Sequence, residues 1–274
     1  MNTKFQLRVQ RYGWDAAAEV YHQQWAENLS PAHQAMFEMA PLNPADRVIE
    51  IASGSGFLTF QVASKVGADG HILATDISAE MIKLLQAQAR DSSLANIKAE
   101  RVGAEDLGQL ADGSYDAALC ALGLMFMPEP GLGILAMHQA LKPGGLAVAA
   151  VWGQRNRCHW ADIFPIVDNE VKSEVCPLFF SLGAGDALQQ SFQKQGFTNL
   201  ETRRIETTLQ FDNTESLLAA IIDGGAVALA AKRFEPETRQ RVDDNFLNSV
   251  KEYRQGEGYA IPAEFVVVAG QKSA

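Results

Sequence analysis

Short apolar runs alternate with segments of helical spacing through the middle of the chain. The runs are rich in β-branched and other apolar residues, which predicts buried strands at residues 47–51, 71–76, 97–102, 115–122 and 145–152. Between them, apolar positions recur every three or four residues, which predicts helices at residues 57–66, 79–89 and 132–141. Strands that alternate with helices are typical of an α/β fold with a mostly parallel sheet.

The segment before the first strand has a helical pattern with aromatic residues. Residues 11–39 predict one or two helices, in which Pro31 marks a break or a first helical position. The aromatic side chains at Tyr12, Trp14, Tyr21 and Trp25 fit two interpretations. They form either an ordinary packing face on the core or a cap over a ligand site.

The segment after residue 152 continues the alternation less regularly. It predicts helices at residues 158–175, 186–195, 214–233 and 236–253, and strands at 199–211 and 258–270. If the last two strands pair as a hairpin, the sheet has seven strands, with one antiparallel strand at its edge.

The amino-acid composition excludes several kinds of protein. The chain has 274 residues, 47% of them hydrophobic, which is enough for one substantial core with a small cap. A net charge of −10 argues against a nucleic-acid partner. Three cysteines without metal-ligand spacing predict free thiols and no metal site. Since no apolar run reaches the length that crosses a bilayer, we expect a cytoplasmic protein without stable membrane insertion.

The first predicted strand runs into a turn of small residues. Gly54 and Gly56 allow a sharp bend and a close approach of the backbone to a ligand, and the following helix offers free N–H groups. The second strand ends in Asp76, a position from which a carboxylate can accept hydrogen bonds from ribose hydroxyls. Ser78 is then a suitable N-cap for the next helix.

Two nucleotide-binding sequence patterns could describe this turn. A dinucleotide fingerprint would place a third glycine at Thr59, and a short-chain dehydrogenase would also need a Tyr-x-x-x-Lys pair, which the sequence lacks. An NAD(P)-dependent oxidoreductase therefore stays the weaker alternative. The acid at Glu50, followed by Ala52, Gly54 and Gly56, fits the pattern (Asp/Glu)-x-(Gly/Ala)-x-Gly-x-Gly better.

With this pattern, and with Leu141-Lys142-Pro143-Gly144-Gly145 before the fifth strand, the chain resembles the class I S-adenosylmethionine-dependent methyltransferases. It looks most like their small-molecule branch, near the ubiquinone and menaquinone biosynthesis methyltransferases. The resemblance implies a Rossmann-like sheet with helices on both faces, and one domain spanning residues 1–274. Within that domain, residues 1–45 would form a helical cap, 46–152 the cofactor-binding core, and 153–274 the acceptor side.

The resemblance also implies S-adenosylmethionine as cofactor and a small-molecule methyl acceptor, and it leaves the oligomeric state open. By this resemblance, the cofactor would lie against Glu50, Ala52, Ser53, Gly54, Gly56, Asp76, Ile77, Met81, Gly103, Ala104, Glu105 and Leu122. In the family an aspartate usually occupies the position of Gly103, so Glu105 or Asp106 would replace it beside the adenine.

No single residue stands out as a catalytic base. His159 follows the fifth strand on the ligand side and is our first candidate, before His22 with its neighbour Tyr21. Since no base is clear, a methyltransferase fold that binds the cofactor without turnover stays a third hypothesis.

Overall fold

The computed structural model describes residues 3–172, 176 and 178–273. In this part of the chain the α-helices are α1 (Thr3–Gln24), α2 (Ala26–Met39), α3 (Phe57–Val66), α4 (Ala79–Asp91), α5 (Pro130–Ala140), α6 (Ile163–Val171), α7 (Ala187–Lys194), α8 (Thr214–Leu218), α9 (Ala228–Ala231) and α10 (Pro236–Ser249). The strands are β1 (Arg47–Ile51), β2 (His71–Asp76), β3 (Ile97–Arg101), β4 (Tyr115–Ala121), β5 (Leu141–Trp152), β6 (Phe197–Phe211), β7 (Arg254–Gln255) and β8 (Gly258–Lys272).

The strands form one sheet in the order β3-β2-β1-β4-β5-β8-β6, with the short β7 paired to β8 alone. Strands β1 to β5 pair in parallel, and β8 pairs antiparallel with both β5 and β6. The predicted α/β fold with a mostly parallel sheet is therefore confirmed. One detail was wrong, because the antiparallel strand β8 lies inside the sheet and β6 forms the edge.

The centre of the sheet is buried on both faces because helices cover it. In β5 every residue from Ala147 to Trp152 is buried, as a continuous apolar run in a doubly covered parallel sheet requires. The edge strand β6 alternates exposed polar residues with partly buried ones over most of its length. The carboxyl ends of β1, β2 and β4 meet at one edge of the sheet, where ligands bind in open α/β folds.

The N-terminal segment forms two helices with an earlier start than predicted. Helix α1 begins at Thr3, not near residue 11, and Pro31 lies within α2 instead of marking a break or its first position. Proline lacks the N–H that would pair with the carbonyl of Glu27. The hydroxyl of Ser30 donates to that carbonyl at 2.7 Å, which replaces the missing hydrogen bond and lets the helix continue.

The segment beyond β5 is more broken than its pattern predicts. The helix expected at residues 158–175 is confined to α6, and its predicted end at 173–175 lies outside the described residues. The helix expected at 214–233 divides into α8, a π-helical turn over Ala219–Asp223, and α9. Among the described residues, no helix is both long and apolar enough to cross a membrane.

Candidate active site

A cavity lies at the carboxyl ends of the central strands, beneath α1. Nine of the twelve residues predicted for the cofactor line this inner cavity: Ala52, Gly54, Asp76, Ile77, Met81, Gly103, Ala104, Glu105 and Leu122. The cavity is narrow, with a volume of about 80 Å³.

The turn after β1 has an unusual backbone conformation. Ala52 and Gly54 have φ angles of +52° and +55°, and Gly56, the N-cap of α3, has +98°. The turn also touches the end of β4, where a Cβ on Gly123 would lie only 2.4 Å from the Ala52 Cβ. The backbone at both strand ends is thus held close together at the cavity floor.

Asp76 links this turn to the start of α4. Its Oδ2 accepts a hydrogen bond from the Gly54 N–H at 2.9 Å, and its Oδ1 accepts one from the Ser78 N–H at 2.8 Å. Burial raises the pKa of the Asp76 carboxyl to about 6, although these backbone hydrogen bonds lower it. A carboxylate can accept about four hydrogen bonds, so this one retains capacity for hydroxyl donors in the cavity.

Glu105 supplies a second acidic group to the cavity. Its Oε1 is buried without a hydrogen-bond partner among the described residues, and burial raises the pKa of its carboxyl. The carboxyl group of Glu105 also lies beside Gly103, because a Cβ on that glycine would be 3.6 Å from Oε2. An unpartnered buried acceptor is costly unless a ligand donor meets it. The site therefore fits a ligand with hydroxyl donors near Asp76 and an amine near Glu105, which an adenosine moiety provides.

Three residues predicted for the cofactor do not line the cavity. Glu50 is 1% exposed, and its Oε2 accepts a hydrogen bond from Thr59 Oγ1 at 2.6 Å, which ties β1 to α3. Burial raises the pKa of Glu50 to about 8. Gly56 is the N-cap of α3, and Ser53 is a buried residue of the turn whose hydroxyl is unpartnered among the described residues. They shape the turn from behind the cavity wall.

The three residues predicted for catalysis lie in different surroundings. Tyr21 lines the inner cavity, whereas His22 and His159 do not. His22 Nδ1 is 3.0 Å from Ser55 Oγ, and its ring stacks on Phe57. His159 is exposed, with Nδ1 2.6 Å from the Tyr253 hydroxyl, because the chain turns outward after β5. The structure thus gives no support to His159 as a base in this cavity.

Tyr21 stays protonated at neutral pH. Burial and the nearby carboxyl groups of Asp76 and Glu50 raise the pKa of its phenol well above the ordinary value. Its ring stacks on Phe57 at a centroid distance of 5.5 Å and meets Trp14 edge-on at 5.5 Å. It can donate a hydrogen bond into the cavity but cannot accept a proton there as a base.

Helix α1 closes the inner cavity from above. The Asp15 carboxylate accepts hydrogen bonds from Ser78 Oγ at 2.7 Å and from the Glu80 N–H at 3.3 Å, at the start of α4. Leu7 and Gln10 also line the cavity, together with Trp14 and Tyr21. The sequence argument missed Leu7 and Gln10, although positions 7, 10, 14 and 21 share one helix face and could have been found from that spacing.

A second, wider depression adjoins the inner cavity. This outer groove is bounded by the first half of α1, the turn 125–128 after β4, the end of α6, and the segment 225–238. It shares four wall residues with the inner cavity: Gln10, Trp14, Phe126 and Met127. Trp14 meets Phe126 edge-on at 4.8 Å, so these two rings stand at the boundary between the spaces.

Known proteins resemble the chain in sequence and in fold. Residues 42–196 match the family model described as a methyltransferase domain. The ubiquinone/menaquinone biosynthesis C-methyltransferase UbiE of Teredinibacter turnerae is 33% identical over 109 residues, which are 39% of this chain and 43% of that protein. The chain thus spans less than half the length of this curated relative.

Two solved structures share the fold at low sequence identity. The YcgJ protein of Bacillus subtilis matches with a TM-score of 0.63 and 13% identity, over 89% of this chain and 99% of that chain. Phosphoethanolamine N-methyltransferase 2 of Haemonchus contortus, solved with S-adenosylhomocysteine, matches with a TM-score of 0.56 and 15% identity, over 89% of this chain and 53% of that chain.

Proposed function

The chain belongs to the methyltransferase-domain family, and from this premise we propose that it transfers a methyl group from S-adenosylmethionine to a small lipophilic acceptor. S-adenosylmethionine is the cofactor of this class I fold, and it supplies an electrophilic methyl group on a sulfonium sulfur. The observation that carries the proposal is the junction at Trp14 and Phe126, where a cavity suited to an adenosine moiety meets a wide groove.

The inner cavity would hold the cofactor through its two acidic groups. Asp76 would accept hydrogen bonds from the ribose hydroxyls, and Glu105 would accept one from the adenine amine. Ile77 and Met81 would pack on the adenine, and the turn at Ala52 and Gly54 would lie beneath the methionine portion. In this arrangement, Leu122 and Ala104 complete the wall.

The chain would accelerate the reaction chiefly by orientation and by exclusion of water. Helix α1 covers the cavity, and Tyr21 offers a phenol O–H that can orient the acceptor or the cofactor. Among the described residues that line the cavity, the titratable groups are Tyr21, Asp76 and Glu105. Tyr21 is protonated, and Asp76 and Glu105 are assigned to the cofactor, so we infer that the proton of the acceptor is released to solvent.

The lipophilic character of the acceptor is supported by two observations. The outer groove has aromatic and aliphatic walls, including Met125, Phe126 and Met127. The curated relative named above acts, by its name, in the biosynthesis of ubiquinone and menaquinone. In a reduced quinone the oxygen of a ring hydroxyl would activate the neighbouring ring carbon. That carbon would form a bond to the methyl group as the sulfonium C–S bond breaks, and one proton would leave to solvent through the open groove.

The decisive experiment combines cofactor titration with a turnover assay. We expect S-adenosylhomocysteine to bind in a calorimetric titration, and NAD and NADP to give no heat. We then expect the label of methyl-tritiated S-adenosylmethionine to enter a short-chain demethylnaphthohydroquinone under anaerobic conditions. A ring-sulfonated analogue of the same compound serves as the polar control and should accept far less label.

The possible outcomes separate the alternatives. Binding of a nicotinamide nucleotide in place of S-adenosylhomocysteine would establish an oxidoreductase. Binding of S-adenosylhomocysteine without transfer to any hydroquinone, phenol or amine tested would favour a non-catalytic binding protein. Preferential labelling of the sulfonated analogue would contradict a lipophilic acceptor and leave the methyltransferase assignment intact.

A further inference from the structure

Exposed apolar side chains gather around the mouth of the outer groove. Among the described residues, five large apolar side chains are more than a third exposed, and four of these line the groove. They are Phe5, Tyr12, Val171 and Leu178. The fifth, Leu132 at 42% exposure, lies on α5 outside the groove. Exposed apolar residues that gather at one place mark an interaction surface, whereas scattered ones are ordinary.

The outward face of α1 combines aromatic rings with cations. Its first three turns expose Lys4, Phe5, Arg8 and Tyr12. The Arg8 and Arg11 guanidinium groups lie over the Tyr12 ring, at 6.0 and 5.4 Å from its centroid. Aromatic rings beside long cationic side chains are typical of helices that lie in the headgroup region of a bilayer.

The first turns of α1 carry a charge opposite to that of the whole chain. Residues 3–14 carry three cations and no acid, although the net charge of the chain is −10. Arg233 lines the groove as well. The acids that face it are Glu170, which pairs with Arg241 at 2.6 Å, and Glu235. The groove lining thus has two cations and two acids, and the excess positive charge is on its α1 side, which complements an anionic surface.

From these observations we propose that the groove mouth docks on an anionic lipid bilayer, with Phe5, Tyr12 and Leu178 in the headgroup layer and Arg8 at the lipid phosphates. The docked groove opens directly towards the membrane, and its inner end reaches the wall that it shares with the cavity. The bilayer would then supply the methyl acceptor, a consequence that rests on the proposed function. The docking itself requires neither cofactor nor turnover.

The experiment is vesicle co-sedimentation of the full chain. We expect binding to phosphatidylcholine vesicles with a quarter of phosphatidylglycerol, and at least fivefold weaker partitioning to phosphatidylcholine alone. Raising the salt from 50 to 500 mM should weaken binding to the anionic vesicles, because exposed charges are screened at high ionic strength.

Variants at the groove mouth are compared with matched variants elsewhere, to test whether this surface is what binds the vesicles. The double variant Phe5→Ser/Leu178→Ser should lower partitioning at least fivefold, and Arg8→Gln should lower it only for the anionic vesicles. Leu132→Ser and Lys194→Gln are the matched controls, since both residues are exposed outside the groove. Titration with S-adenosylhomocysteine reports folding, because none of these side chains lines the inner cavity.

Several outcomes would overturn the proposal. One is the absence of binding to either kind of vesicle. Another is that Leu132→Ser lowers vesicle binding as much as the groove variant does. Sedimentation velocity adds a third test. If the chain is dimeric and the groove variant is monomeric, the patch is an interface between two copies and not a membrane surface.

Discussion

The carboxyl group of Asp76 has two tasks that compete for the same oxygen atoms. It already accepts backbone hydrogen bonds from Gly54 and Ser78, and these fix the turn after β1 and the start of α4. Any ribose hydroxyl must use its remaining acceptor capacity. A substitution at this position therefore changes the shape of the turn as well as its affinity for a cofactor.

We expect Asp76→Ala to weaken S-adenosylhomocysteine binding at least tenfold, measured by calorimetry. Hydrogen bonds to a charged group contribute about 1.5–3 kcal/mol each. The loss of two such bonds would therefore weaken binding more than tenfold if no other interaction compensated for it. Asp76→Asn keeps one acceptor oxygen and should lose less. Thermal unfolding of both variants controls for folding, and unchanged affinity in Asp76→Ala would disprove the ribose assignment.

The close approach of Ala52 and Gly123 gives a second test at the scale of single residues. A Cβ on Gly123 would lie 2.4 Å from the Ala52 Cβ and 3.0 Å from the Cys120 Sγ. We expect Gly123→Ala to destabilise the fold by about 1–3 kcal/mol, as overpacking does. Ala52→Gly removes the nearer methyl and also relieves a φ of +52°, which costs a non-glycine residue about 1 kcal/mol.

The double variant Ala52→Gly/Gly123→Ala should therefore recover most of the stability that Gly123→Ala loses. Denaturant unfolding of the two single variants and the double variant completes the cycle. If the stability changes of the two single variants simply add in the double variant, the Ala52–Gly123 contact is not the cause of the destabilisation.

At the scale of elements, α1 acts as a cover that packs against α4, α9 and the π-helical turn. Asp15 joins it to the N-terminus of α4, where a carboxylate is also favoured by the helix dipole. The aromatic side chains of α1 complete the inner cavity, so its position controls access to that space. A variant in which α1 is held less tightly should leave the sheet intact and exchange its ligand faster.

Asp15→Ala should speed the dissociation of S-adenosylhomocysteine three- to tenfold, as measured by stopped-flow displacement. Glu19→Ala is the matched control, because Glu19 lies on the same helix and accepts only a hydrogen bond from the exposed Gln23 side chain. Equal dissociation rates in wild type and Asp15→Ala would mean that the cover does not limit exchange.

The accuracy of the sequence argument differs between elements for physical reasons. The core strands and α3 to α5 were predicted because a buried α/β layer imposes strict apolar periodicity, and the Ser78 N-cap is confirmed by its hydrogen bond from the Met81 N–H. The segment after β5 was predicted less well. Its helices are short and lie against α1 and against each other, so tertiary contacts override local spacing there.

The candidate site was predictable only where a turn or a strand end marked it. Asp76 and Gly54 follow from strand–turn–helix chemistry, and their role with a cofactor stays a prediction. The exposed position of His159 could not be predicted from the sequence. The direction of the loop after β5 depends on a hydrogen bond from the backbone N–H of His159 to the distant Pro262 carbonyl. Proximity in sequence to a strand end did not bring that side chain into the cavity.

At the scale of the whole molecule, buried titratable groups give stability a defined pH dependence. Burial raises the pKa of Glu50 to about 8, so the native state keeps a proton that the unfolded chain releases near the ordinary glutamate value. Stability therefore falls as pH rises through this window. Asp76 acts in the same direction up to about pH 6, the raised pKa that burial gives it.

His33 has the opposite effect, because burial lowers its pKa to about 4. The unfolded chain binds a proton at this ring below the ordinary histidine pKa, so stability falls as pH decreases from there towards 4. Above the ordinary histidine pKa only Glu50 acts, and stability falls as the pH rises to about 8. Below about pH 6 the two carboxyl groups outweigh the single ring, so the three groups together favour an acidic pH.

Glu50→Gln should remove the loss of stability that Glu50 causes between the ordinary glutamate pKa and about pH 8. The melting temperature of this variant relative to wild type should increase between pH 5 and pH 9, with most of the change complete by about pH 8. Glu257→Gln, at an exposed turn, is the matched control. Parallel pH curves for wild type and Glu50→Gln would show that this carboxyl does not hold its proton in the native state.

The interior position of β8 has a consequence for biosynthesis. Its two long neighbours, β5 and β6, precede it in the chain. A nascent polypeptide that has exposed β5 and β6 at the ribosome exit therefore still lacks the strand between them. Each then presents an open row of backbone hydrogen-bonding groups, a condition that favours pairing with other chains. Translation pauses before β8 emerges would lengthen this exposure and increase the demand on chaperones.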